Sequence, residues 1–235
     1  MTDEHTYKSA ADFAASINLK FQDITLLERA FTHRSYVNEN RSAGIKHNER
    51  LEFLGDAVLE LVITEYLFAK YPNKPEGELT AVRSALVNTV SISEAASDLN
   101  MNDYLRLSRG ESKDTGRARQ YILANTFEAV IGAIYLDQGY SAARIFIGNS
   151  LFAKTDEIVE KKLWQDPKSG FQEAAQEQVG ITPSYKTISS VGPDHDKEFT
   201  VGVYLKDELV AQGVGKSKQE AQQEAAQKAW EKKGW

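Results

Sequence analysis

Two long apolar segments of this chain each carry oxygen-bearing side chains on one stripe and a glycine among them, which leaves few ways to fold. The first, NERLEFLGDAVLELVI (48–63), puts Glu49, Glu52 and Asp56 at i, i+3 and i+7. At 3.6 residues per turn these acids fall within about 60° of one another on a helix. Leu51, Phe53, Leu54, Ala57, Val58, Leu59, Leu61 and Val62 surround them, a pattern that places the helix inside a domain. The second, YILANTFEAVIGAIYL (121–136), has one acid, Glu128, and one amide, Asn125, three residues before it on the same face. Gly55 and Gly132 permit close approach of the two helices, so the stripes are expected to meet.

Neighbouring acids in a sheltered place repel one another and lose hydration, so they persist only with protons, cationic partners or a metal ion. An acidic stripe is usually a solvated face, but here no broad polar face remains to be solvated. Arg50 could pair with one acid and hardly with all of them. A buried salt-bridge cluster and a divalent metal site both stay open, and the metal site accounts for more of the pattern. Oxygen ligands without cysteine or clustered histidine select Mg²⁺, with Mn²⁺ able to substitute, over zinc or copper.

The formal net charge of −6 counts against a nucleic-acid binder in the ordinary basic mould. Acids gathered around a metal inflate that total without facing a ligand, so any nucleic-acid reading must rest on local placement of charge. The chain has no cysteine, which excludes disulfides and thiolate sites and fits a reducing compartment. MTDEHTYK at the amino end has no signal core, and no apolar run is long enough to span a bilayer. A soluble cytoplasmic protein with no membrane partner is the expectation.

Residues 9–162 read as helical throughout. Asp23 is a plausible N-cap for a helix carrying Leu26, Leu27, Ala30 and Phe31. One helix is expected over 76–100, a loop rich in Arg and Lys over 106–120, a break at Gly139 and a last helix over 141–163. Trp164-Gln165-Asp166-Pro167 reads as a boundary. Beyond it, 169–179 is helical, 184–191 extended, and 198–206 alternates Phe199, Val201, Val203 and Leu205 against polar or small residues, a half-buried strand. A short strand over 208–213 and an alanine-rich helix over 217–232 complete an α-β-β-β-α order. The expected architecture is an all-α domain over 5–163, a linker over 164–168 and a small α+β domain over 169–235.

In that tail, Lys216, Ser217 and Lys218 stand at the start of the final helix, where free backbone N–H groups and lysines make a phosphate site. Gly192-Pro193-Asp194-His195 is expected to be a tight turn offering His195, and Gln172 and Glu173 could reach ribose hydroxyls. A phosphate grip between two polar probes matches A-form RNA, with its wide minor groove on either side of a narrow major groove. The segment 164–235 holds nine lysines against eleven acids, so affinity must come from placement and fall with salt.

Both halves resemble one family. NERLEFLGDAVLELVI, with AFTHRSY (30–36), PEGELTAVRSALVN (75–88) and ILANTFEAVIGAIYLDQG (122–139), resembles the bacterial ribonuclease III endonuclease domain. DPKSGFQE (166–173), SVGPDH (190–195) and GVGKSKQEAQQEAA (213–226) resemble its carboxy-terminal double-stranded-RNA-binding domain. The resemblance implies a homodimeric, Mg²⁺-dependent enzyme that cuts both strands of duplex RNA, leaving 5′-phosphates, 3′-hydroxyls and short 3′ overhangs. It implies Glu52, Asp56 and Glu128 as metal ligands, with Asp56 and Glu128 carrying the chemistry, Glu49 and Glu76 as acids lining the cleft, and Phe53 as a dimer contact. On the residues alone, Phe53 is simply a core side chain. Asn125 stands where most bacterial members have aspartate; its amide oxygen can still coordinate Mg²⁺ or a bound water, at lower affinity. Gln219 replaces a frequent third lysine. Two rival functions remain at this point: a non-cleaving duplex-RNA binder silenced by Asn125, and a metal-dependent phosphohydrolase acting on small substrates.

Overall fold

The computed structural model describes residues 7–41, 44–161, 164, 166–193 and 197–235. They divide into two compact units, Met1–Lys161 and Lys162–Trp235.

The first unit is helical. It opens with α1 (Ala10–Ser16), α2 (Ile24–Ala30) and α3 (Arg34–Glu39), each started by a side chain that accepts a backbone N–H: Ser9, Asp23 and His33. The capping expected of Asp23 is there, its carboxylate taking the N–H of Thr25. The acidic-stripe helix is α4 (Glu49–Lys70). The helix expected over 76–100 is two, α5 (Glu76–Leu86) and α6 (Thr89–Asp98), because the Asn88 side chain accepts the Ser91 N–H and starts a new helix.

The stretch expected as a loop over 106–120 is partly ordered. A 3₁₀ turn covers Glu111–Lys113 and α7 (Arg117–Ile147) begins inside the stretch, while another 3₁₀ turn, Met101–Tyr104, precedes it. Arg119 pins the turns by donating to Asn102 Oδ1 at 2.6 Å and to the Glu111 carbonyl at 2.8 Å. Gly139, at φ +78°, kinks α7 where a break was expected. The chain then continues as helix to Ile147, a π turn over Gly148–Phe152 and α8 (Lys154–Glu160), not as one fresh helix over 141–163. Phe13, Leu27, Phe31, Leu59, Ile63, Leu86, Ile92 and Phe127 are among the fully buried side chains of this core. Truncating one of the buried leucines to alanine costs roughly 2–5 kcal/mol by lost transfer energy and the cavity left behind.

The second unit runs α9 (Pro167–Val179), β1 (Ser184–Val191), β2 (Glu198–Leu205), β3 (Glu208–Gly215) and α10 (Lys218–Lys233). α9 starts two residues before the expected 169, within the stretch read as linker. Asp166 caps it through the N–H groups of Lys168 and Ser169, and Pro167 suits the first helical turn. The sheet is antiparallel in the order β1-β2-β3. Val201, Val203 and Leu205 are buried as the alternation requires, with Phe199 only partly covered near the strand end. Phe171 and Ala175 of α9 and Ala225, Ala226 and Ala229 of α10 close the core with Val203, Leu205 and Val210. Small alanines let α10 lie close on the sheet, so burial of a modest area per residue is offset by tight packing. Among the described residues, no helix is long and apolar enough to cross a membrane.

Candidate active site and nucleic-acid interface

The site begins with backbone contact between α4 and α7. A Cβ on Gly55 would lie 1.7 Å from the Glu128 carbonyl oxygen, and one on Gly132 would lie 2.2 Å from the Leu51 carbonyl oxygen. Only glycine fits at either place, so the two glycines bring the backbones together and with them the side chains on the adjoining stripes.

Glu128 is partly buried, and its carboxyl is pushed up to about 8, first by burial and then by the charges of Asp56, Glu52 and Glu60. Glu52 is raised by burial and by Glu49 and Asp56. Glu49, Glu52, Asp56 and Glu128 therefore share one electrostatic neighbourhood. None of Glu52, Asp56 and Glu128 has an ion-pair partner among the described residues. Also among those residues, no group of three or more His, Asp and Glu side chains is drawn into a ready-made metal cage. Like charges without a counter-charge stay apart, while remaining near enough to perturb one another.

The sheltered character expected of the stripe needs correcting. Glu49 and Asp56 are exposed, and Glu52 and Glu128 are half-buried. Phe53, Leu61 and Phe68 are 81%, 57% and 74% exposed, so the apolar residues of α4 fall into two sets. Leu51, Val58, Leu59, Val62, Ile63 and Leu67 face the core, and the other set faces solvent. Phe53 is thus not the core residue that its apolar neighbours imply.

Glu49 pairs with Arg34 Nη1 at 3.5 Å, and His47 Nδ1 lies 3.7 Å away without a hydrogen bond. Arg50, the cation next to it in sequence, makes no described ion pair. Asn125 is half-buried one turn before Glu128 on α7. Glu76 opens α5, where its carboxylate accepts the Thr80 hydroxyl at 2.9 Å; no described interaction joins it to the other acids. Glu60 is the residue that the sequence reading missed, although it extends the stripe by one more turn after Asp56. Three carboxylates and an amide, with no thiolate, are a donor set suited to a hard dication.

In the second unit, Ser217 caps α10 by accepting the Glu220 N–H at 3.1 Å, and Glu220 takes the Lys216 N–H at 2.9 Å. The expected run of free N–H groups is accordingly shortened. Lys216 and Lys218 are exposed on either side of that cap, and Lys218 Nζ lies 6.0 Å from the centre of the Phe199 ring. Gln172 and Glu173 are exposed on α9. α9 is tied to α10 by Lys168 Nζ to Gln222 Oε1 at 2.8 Å and Gln223 Nε2 to Asp166 Oδ2 at 3.3 Å. His195, expected at the β1–β2 turn, lies outside the described residues.

A helical unit with convergent acids, followed by an α-β-β-β-α unit, is the plan of a nuclease joined to a duplex-RNA reader, and comparison with known proteins agrees. Residues 23–155 match the Ribonuclease-III-like family and 167–233 the double-stranded RNA binding motif. Ribonuclease 3 of Latilactobacillus sakei subsp. sakei is 43% identical over 221 residues, covering 94% of this chain and 96% of that protein. Ribonuclease 3 of Desulforamulus reducens is 45% identical over 92% of this chain and 87% of that protein. The solved nuclease domain of ribonuclease III from Campylobacter jejuni, which has a region involved in dimer formation, is 39% identical with a TM-score of 0.53, covering 59% of this chain and 95% of that one. The chain belongs to the ribonuclease III family and is an endoribonuclease directed at double-stranded RNA. Enzymes of this family depend on metal ions. A phosphohydrolase of small substrates is set aside by the RNA-binding motif, and a non-cleaving binder by the family.

Proposed function

We propose that this endoribonuclease uses Mg²⁺, for which Mn²⁺ substitutes, to cut both strands of duplex RNA into products with 5′-phosphates, 3′-hydroxyls and short 3′ overhangs. The observation that carries the reading is the half-buried Glu128 carboxyl, set against Glu52 and Asp56 of the opposite helix with no ion-pair partner for any of the three among the described residues. Phosphodiester hydrolysis needs an activated water, in-line geometry and neutralised charge on the scissile oxygens. A dication, when bound, supplies the first and third by lowering the pKa of water and offsetting the phosphate charge. Glu52, Asp56 and Glu128 contribute the negative charge that holds it, and Asn125 an uncharged oxygen. Glu49, paired with Arg34, and Glu76 are the further acids of the cleft.

Recognition of the duplex falls to Gln172, Glu173, His195, Lys216, Ser217 and Lys218, with the lysines on phosphates and the polar groups toward the minor grooves. Two chains supply two sites, one for each strand. The outward Phe53, Leu61 and Phe68 support a homodimer, because an apolar stripe left in water gains about 25 cal/mol for each Å² that a second copy covers. Structured precursors of ribosomal and messenger RNA in the cytoplasm are the substrates that suit a soluble, cysteine-free enzyme of this specificity.

A long RNA duplex incubated with the protein tests the metal requirement. Shortening with Mg²⁺ or Mn²⁺ that stops on adding EDTA is the expected outcome. Undiminished cleavage in EDTA, or binding with no cleavage across a range of both ions, contradicts it.

A further inference from the structure

The polar stripe of α4 does not stop at Asp56. Glu60 follows one turn on, and its carboxylate meets Arg83 Nε of α5 at 2.9 Å. The same guanidinium donates through Nη1 to Thr64 Oγ1 at 2.8 Å, and the Thr64 hydroxyl donates to the Glu60 carbonyl at 2.6 Å. Arg83 therefore grips α4 at two points one turn apart. A planar fork fixed in this way keeps its charge in one place, unlike a surface lysine free to swing. Glu60 is also close enough to Glu128 to disfavour its ionisation. Among the described residues, the Glu60 carboxylate is thus the one neighbour of Glu128 with a cation against it.

We propose that Arg83 is a positioning residue for the acidic site: by holding Glu60 paired against α5, it limits the negative charge the site presents and so sets how tightly a dication is bound. This rests on Glu52, Asp56 and Glu128 being the ligands of that ion. Without the guanidinium, Glu60 adds an uncompensated negative charge beside three others, and a dication binds more tightly. Without the Glu60 carboxylate, the guanidinium charge beside the site is left uncompensated and repels the ion. A clamp that served only to hold α4 on α5 would be weakened in the same way from either side. Both side chains are partly solvated, so water moderates the effect to about three- to tenfold in either direction.

Mn²⁺ binding to the RNA-free full chain, followed by the paramagnetic resonance signal of free Mn²⁺, measures this without reference to turnover. Arg83→Met should bind Mn²⁺ about three- to tenfold more tightly and Glu60→Gln about three- to tenfold more weakly. The double variant should return to within about twofold of the unmodified protein. Weakening in both single variants, or no change in either, overturns the proposal. Should Arg83→Met fail to fold, Arg83→Gln takes its place: tighter Mn²⁺ binding supports the proposal, and equal or weaker binding overturns it. If the unmodified protein takes up no Mn²⁺, the metal site itself fails and this inference falls with it. If it binds the ion and the variants match it, only the role of Arg83 is lost.

Discussion

The acids of the helical unit come from two helices far apart in the sequence and meet because Gly55 and Gly132 let the backbones touch. Gln172, Glu173, Lys216 and Lys218 of the second unit, proposed to meet RNA, sit near a helix start or on an exposed helix face, with the Ser217 cap between the two lysines. The first arrangement concentrates like charge on half-buried side chains, at a cost to the folded state that the proposed dication would relieve. The second disperses charge into solvent, where it costs little and salt screens it. Residues of the acidic groove should accordingly act as a unit, with large losses from single changes. Residues of the RNA-binding unit should act in small, nearly additive steps.

The largest expected effect is that of Asp56→Asn, which keeps the shape of the groove and removes one charge. Cleavage of a duplex should fall at least about a thousandfold while RNA affinity, measured by filter binding in Ca²⁺, stays within about twofold. Equal turnover would dissolve the distinction between the two regions.

Glu128 adds a signature in stability. Its carboxyl sits at about 8 in the fold against an ordinary 4.5, so the folded state prefers the protonated form. The stability associated with this group is complete below about pH 4.5 and is lost as pH rises through 8. Glu128→Gln removes the titration. In EDTA at pH 8.5, urea unfolding should show the variant about 1–3 kcal/mol more stable than the unmodified chain, after discounting for partial solvation. At pH 4 the two should coincide. A variant that is less stable at pH 8.5 would mean that the groove does not burden the fold.

In the RNA-binding unit, Lys216→Ala with Lys218→Ala should leave the melting temperature nearly unchanged. It should weaken duplex binding by about tenfold at moderate salt and lower the slope of log K against log salt by about 2. An unaltered slope would remove the lysines from the phosphate contacts. The smallest effect is that of Asn125→Asp, which adds a charge where an amide stands. The Mg²⁺ concentration for half-maximal cleavage should fall about two- to tenfold. An unchanged or higher requirement would show that the amide does not weaken the site.

Much of this arrangement was readable in the residues because local rules coincide with the fold. The strand alternation of 198–205, the Asp23 cap and the break at Gly139 depend on near neighbours only. The convergence of the two stripes was readable through its glycines. What the pattern could not show was where water lies. Apolar residues cover most of α4, and periodicity alone does not separate the set facing α7 from Phe53, Leu61 and Phe68, which the chain leaves outward. Asn88 hid a helix boundary inside a continuous helical pattern, because an asparagine either caps or rides in a helix according to the turn before it. The Glu60–Arg83–Thr64 network joins two helices across a loop, and no local spacing announces it.

The central claim is that α4 and α7 jointly hold a divalent cation. A crystal soaked in Mn²⁺ and measured at the manganese absorption edge tests it most directly. The account expects an anomalous peak about 2.0–2.3 Å from carboxylate oxygens of Glu52, Asp56 and Glu128. A crystal that still cuts RNA on dissolving but shows its manganese elsewhere, with those three carboxylates bare, would contradict it.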